Sequence, residues 1–134
     1  MRVLLAVLAG LLITSCGSNE APVAKPGLDG ARDIATAWYE AVVDGDADGA
    51  CRLMSASMRT KVTTDNQASD CENGIRQYFA TVDETAKRQM QAKDFTVTPD
   101  GANHAYVRIN RSWRAPTFEE SWAQGRWGIS GIIT

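Results

Sequence analysis

Three cysteines, a single histidine and a run of alternating aspartates are the side chains of this chain with the most chemistry in them. Cys51 and Cys71 stand twenty residues apart. Outside the cytoplasm an even pair favours a bridge over free thiols, and on the loop-entropy model such a bridge is worth roughly 3 kcal/mol. Two buried thiols, half of a metal site, or a catalytic thiol with His104 are the rivals; no Cys-x-x-Cys spacing supports zinc. Asp44-Gly45-Asp46-Ala47-Asp48-Gly49 copies the first half of an EF-hand loop, with oxygens at positions one, three and five and Gly at six. Position twelve, which needs a bidentate Glu, is Ser55. A helix stop followed by an Asp-capped helix accounts for Asp44, Asp46 and Asp48 without calcium, so neither a metal nor another cofactor is expected. Trp113, Trp122 and Trp127 stand among Arg108, Arg111, Arg114 and Arg126. Aromatic rings beside guanidinium groups can hold sugars, anionic glycans or a protein surface. Strand alternation, with rings inward and arginines outward, is the favoured account of the same residues.

The third cysteine belongs to a different chemistry. Met1-Arg2 precedes an apolar run from Val3 to Ile13, followed by Thr14-Ser15-Cys16. That run is too short for the ~20 residues of a membrane-spanning helix, and the pattern is that of a removed bacterial signal peptide. Ile13-Thr14-Ser15-Cys16 resembles the lipobox cut by the lipoprotein signal peptidase. Cys16 is therefore expected to become the first residue of the mature protein, with diacylglycerol on its sulfur. The protein would then sit on the extracytoplasmic face of the bacterial cell membrane, touching it through its N-terminal lipid.

Removing residues 1–15 leaves about 120 residues, one domain's worth. Arg2 is the only charge in the leader, so the mature chain is slightly more acidic than the net −2 of the whole. A mildly acidic, mixed surface argues against nucleic acid as a partner, since that needs a basic stripe. It argues equally against adhesion to anionic lipid by charge alone.

The expected organisation is a leader (1–15), a lipidated cysteine and flexible tether (16–29), and one domain (30–134). Gly17 to Asp29 is rich in Gly, Ser, Pro and Ala and could extend at most ~40 Å. Ala31, Ile34, Ala35, Trp38, Ala41 and Val42 recur at helical spacing, with Asp29 as N-cap and Gly45 as stop. Asp46 caps a short helix over Ala47–Met54, and Met58–Val62 adds a turn. Ser69 and Glu72 form a capping box for a third helix running to about Met90. The period then changes from 3.6 to 2. Phe95 and Val97, a Pro99-Asp100-Gly101 turn, and Ala105, Val107 and Ile109 make one hairpin. Phe118, Glu120 and Trp122, a Gln124-Gly125 turn, and Trp127, Ile129, Gly131 and Ile133 make a second. Helices followed by two hairpins imply an α+β fold in which helices cover one face of an antiparallel sheet.

Trp38-Tyr39 in a helix running into Gly45-Asp46-Ala47, and a last hairpin ending Gly125-Arg126-Trp127-Gly128-Ile129, together resemble the nuclear-transport-factor-2-like (cystatin-like) superfamily. Within it the chain is similar to the secreted lipoproteins of actinobacteria. The resemblance covers about residues 30–133. It implies a cone, a curved sheet wrapped around the long helix, with a pocket between them. Trp38, Tyr39, Val42, Phe79, Tyr106, Trp122 and Trp127 are the candidate lining. The superfamily's isomerases put a tyrosine seven residues before the Gly of the Gly-Asp turn; here that residue is Trp38, and Met58–Thr64 contains no acid. The leading expectation is thus a binding or interaction module without catalysis, taking a small apolar ligand in the cone or an envelope protein on the sheet. An isomerase- or dehydratase-like enzyme using Asp65 or His104 with Tyr39 or Tyr106 is one alternative, and a structural envelope lipoprotein another.

Overall fold

The computed structural model describes residues 26–110 and 117–133. The expected leader, the lipidation site Cys16, most of the tether, and Arg111, Trp113 and Arg114 lie outside the described residues.

The first helix, α1 (Leu28–Asp44), starts one residue before the expected cap. Gly27 occupies the N-cap position with no side-chain bond, and Asp29 sits in the first turn, where its charge favours the helix dipole. Ala31, Ile34, Ala35, Trp38, Tyr39, Ala41 and Val42 form its buried stripe. Gly45 ends it in the left-handed conformation, φ 70°. The Gly45 and Asp46 amides close back on Val42 and Ala41 at 3.3 and 2.9 Å, a Schellman stop that a residue without Cβ accommodates. The Asp46 carboxylate accepts from the Gly49 amide at 2.9 Å and so begins α2 (Ala47–Leu53).

The next helix, α3 (Ala56–Asp65), is longer than the single turn the sequence suggests; its Ser55 N-cap accepts from Met58 at 3.1 Å. The expected helix from Ser69 to Met90 is two helices, α4 (Cys71–Thr81) and α5 (Glu84–Gln91). Two aspartates explain the difference. Asp70, rather than Ser69, caps α4 by accepting from the Asn73 amide at 2.8 Å, which leaves Glu72 to pair with Arg76. Asp83 accepts from the Ala86 amide at 2.7 Å. It offers the chain a new helix start immediately after the extended, β-branched Val82.

Strands β1 (Phe95–Pro99), β2 (His104–Ile109), β3 (Thr117–Ala123) and β4 (Arg126–Ile133) form an antiparallel sheet in the order β1-β2-β3-β4. The first turn closes with the Asp100 amide on the His104 carbonyl, 2.9 Å. The Gln124-Gly125 turn has φ 54° and 77°, both positive, as a two-residue hairpin requires. Ala105, Val107 and Ile109 face the core, while His104, Tyr106 and Arg108 face out. On β4 the expected alternation fails beyond Ile129. A bulge opposite Glu119 and Glu120 flips the side-chain parity, so Ile132 packs on the core while Ile133 is exposed.

The helices cover one face of this sheet, an α+β arrangement. Helix α1 touches β1, β2 and β4, and α2 packs on both α1 and α4. A Cys51–Cys71 disulfide joins α2 to the start of α4, with Cα atoms 6.2 Å apart. The junction between α2 and α3 is stitched to the sheet edge. Met54 pairs in parallel with Ile129, and the Ser55 amide donates to the Ile129 carbonyl at 2.9 Å. Gly128 permits that approach, since a Cβ there would stand 3.3 Å from the Leu53 carbonyl oxygen.

Candidate functional site

A carboxylic acid stands in the middle of the apolar face of the sheet. Glu120 on β3 lies between Ala105 of β2 and Ile129 of β4 in the register, and it is 0% exposed. The short Ala105 side chain leaves room for the longer one beside it. Neither carboxyl oxygen has a hydrogen-bond partner among the described residues. Desolvation alone pushes its pKa up to about 8, so at neutral pH it is a neutral acid that can both donate and accept.

Three helix-borne side chains bring further unpaired polar atoms into the same interior: the Trp38 indole nitrogen and Tyr39 phenol from α1, and the Tyr78 phenol from α4. Tyr39 is only 1% exposed. Its phenol is held far above its ordinary pKa, first by burial, then by the Glu120 charge, then by Tyr78. Burial likewise raises Tyr78. Tyr39 is therefore the group that feels both the Glu120 carboxyl and the Tyr78 phenol. The apolar parts of these rings are stacked. Phe118 meets Trp38 and Tyr39 edge-on, with centroids 5.3 and 5.6 Å apart, and Tyr39 also meets Phe95 at 5.4 Å. The result is a close-packed layer of aromatic rings beside a buried acid and the buried Tyr39 phenol, with the Tyr78 phenol near Tyr39.

Of the candidate lining, Trp38, Tyr39, Val42, Phe79 and Trp127 are buried on the helix side of the sheet and Trp122 is half-buried against the same core. Trp122 and Trp127 meet across β3 and β4 at 5.9 Å. Tyr106 is not with them. It projects from the opposite face of β2, 37% exposed, where the Asp100 charge and a hydrogen bond to Asp100 hold its phenol above the usual range. Asp65 and His104, the residues of the catalytic alternative, are also apart. Asp65 ends α3 in an ion pair with Lys61, 2.6 Å, and His104 is an exposed residue of β2. Two of the three aspartates of the half EF-hand are separately employed. Asp46 caps α2, Asp48 pairs with Arg52, and among the described residues no three His, Cys, Asp or Glu side chains gather to hold a metal.

Glu120 is the residue that sequence reasoning left out of the lining. The signal was present: it falls on the core-facing beat of β3, between Phe118 and Trp122. A lone acid at an apolar beat marks a buried carboxyl, whereas Glu119 beside it is one of the ordinary outward charges.

No protein-family model, curated protein or solved structure matches this chain.

Proposed function

We propose that this protein is a lipid-anchored binding module on the outer face of the bacterial cytoplasmic membrane. Its fold would be of the nuclear-transport-factor-2-like type, and its ligand a small, mostly apolar molecule with one hydrogen-bonding group. The leader and lipobox support the location. The disulfide suits an oxidising compartment, and among the described residues no helix is long and apolar enough to cross a membrane. A helix laid across one face of an antiparallel sheet is the arrangement the cone requires.

One observation carries the binding reading: Glu120 is fully buried with neither oxygen paired among the described residues. A purely structural core would place Leu or Val between Ala105 and Ile129 and avoid the desolvation cost. Departures from the local packing rule are expected where a site must do something else. The protonated Glu120, with the Tyr39 and Tyr78 phenols, offers donors and acceptors to a carbonyl, hydroxyl or amine, and the rings offer apolar walls.

A second reading follows from the same group. An acid poised near neutrality beside a phenol is suited to proton transfer, which favours an isomerase- or dehydratase-like enzyme working through Glu120 rather than Asp65 or His104.

Native mass spectrometry of the protein extracted from its own host tests both. A co-purifying small molecule is expected on the wild type, at least tenfold reduced in Glu120→Leu and Tyr39→Phe. Recovery of two interconverting isomers from the wild type would favour the enzyme. An empty wild type, or equal occupancy in all three proteins, would overturn the interior site.

A further inference from the structure

Away from that interior, a groove of about 250 Å³ opens where the start of α3 meets the β3–β4 hairpin. Its lining joins Ser55, Ser57 and Arg59 from the start of α3 to Ser121, Arg126 and Trp127 from the hairpin, and includes no Asp or Glu. On a chain with net charge −2, two guanidinium groups without an acid among them form a local reversal of sign. Neither arginine has an ion-pair partner among the described residues. Arg126 is exposed, while Arg59 donates one Nη to the Met54 carbonyl at 2.9 Å, which fixes its guanidinium beside the groove and leaves its other N–H groups to spare.

The backbone adds donors of the same kind. Ser55 Oγ is used by the Met58 amide, and the Ser55 amide by Ile129. The amides of Ala56 and Ser57, the first two of α3, have no carbonyl within the helix to bond and lie at the positive end of its dipole. Trp127 lines the groove as well, but it is only 3% exposed and its indole nitrogen is shielded from solvent, so the donors available to a ligand are the guanidinium groups and the amides.

We propose that this groove binds a phosphoryl group. Guanidinium forks, helix N-terminal amides and hydroxyls are the donors that recognise a tetrahedral oxyanion. The volume is below the 300–1,000 Å³ usual for whole-ligand pockets, so the groove suits a head group rather than a complete drug-sized molecule. That group can come from a soluble phosphate or from a phospholipid headgroup, and the two sources are separable. The site is distinct from the Glu120 interior and stands or falls independently of it.

Backbone amide NMR of the full chain in uncharged detergent micelles is the test. One arm titrates inorganic phosphate at constant ionic strength; the other dopes the micelles with phosphatidylglycerol. Arg126→Gln is the variant, because Arg126 is exposed and its removal leaves the core intact. Arg108→Gln, on the outer face of β2, is the control of equal charge. The expected result is saturable shifts centred on Ser55–Met58 and on residues 121–128. They should weaken at least tenfold in Arg126→Gln and persist in Arg108→Gln. A response in the phosphate arm identifies a soluble source and a response confined to the lipid arm identifies a headgroup; either supports the site. No saturable response in both arms, or equal weakening by the two substitutions, overturns it.

Discussion

Burying Glu120 couples the folding of this protein to pH in an unusual direction. In the unfolded chain its carboxyl titrates at its ordinary 4.5, while in the fold desolvation lifts it to about 8. Between those values the folded state holds a proton that the unfolded state has released. The stabilisation is therefore complete below about pH 4.5, declines as pH rises, and is gone above about 8. The loss is on the order of several kcal/mol, large against the usual margin of a domain this size. Asp70 acts in the opposite sense at the acid end. The Asn73 amide and the Ser69 hydroxyl hold its carboxyl below its ordinary 3.8, so its contribution is lost only as the pH falls below that value. Thermal melts from pH 5 to 8.5 should thus show the wild-type Tm falling steadily. Glu120→Leu should flatten that slope and leave the variant the more stable protein at pH 8. A wild-type Tm that is level or rising over this interval would show that Glu120 is charged and paired in the fold. If the substitution also empties the interior site, stability and binding oppose each other at one residue, as expected of a functional group held in a core.

At the scale of elements, the disulfide is the fastening that the small helices depend on. Helices α2, α3 and α4 have 7, 10 and 11 residues, short enough to be marginal alone, and the bridge closes the twenty-residue segment that contains α3. Cys51→Ser and Cys71→Ser should each lower stability by roughly 3 kcal/mol, and the double variant by no more than either. Denaturant melts of the four proteins under oxidising conditions would show this, and additive losses would mean that the two sulfurs act separately. The pattern of elements was largely readable in advance, because periodicity survives in the sequence wherever one face is buried. The stripe from Ala31 to Val42, the alternation of β2 and both hairpin turns are of this kind. The departures have separate local causes. Asp70 caps α4 one residue later than Ser69 would, Asp83 takes the Ala86 amide that a continuous helix would use, and the β4 bulge obeys the register of its neighbour β3 rather than any residue preference of its own. The candidate sites were less readable. Trp38 followed from the helical stripe and Tyr39 from the family resemblance, while Glu120 was left out although it falls on the core-facing beat of β3. The Arg59–Arg126 groove joins residues 67 positions apart, and nothing local to either arginine announces the other.

The scale of the whole molecule turns on one thiol outside the described residues. A tether of the expected length, reaching at most ~40 Å, would keep the α+β domain near whatever holds Cys16, so the compartment in which both proposed sites would operate depends on that attachment. A diacylglyceryl group supplies two chains, and two membrane signals are what stable anchoring requires. Net charge offers no electrostatic substitute, since −2 would be repelled by an anionic bilayer. The groove arginines are too few to reverse that balance, although they could orient a domain already tethered. Intact-mass measurement on wild type from its bacterial host should therefore show the loss of residues 1–15 together with the added mass of the lipid. In Cys16→Ser the lipid should be missing, and the protein should move from the detergent-rich to the aqueous phase of a phase-separating extraction, with the Cys51–Cys71 bridge still formed. A wild-type mass equal to that of the unprocessed, unmodified chain would remove the anchor. Retention of Cys16→Ser in the detergent-rich phase would place the membrane contact elsewhere in the molecule.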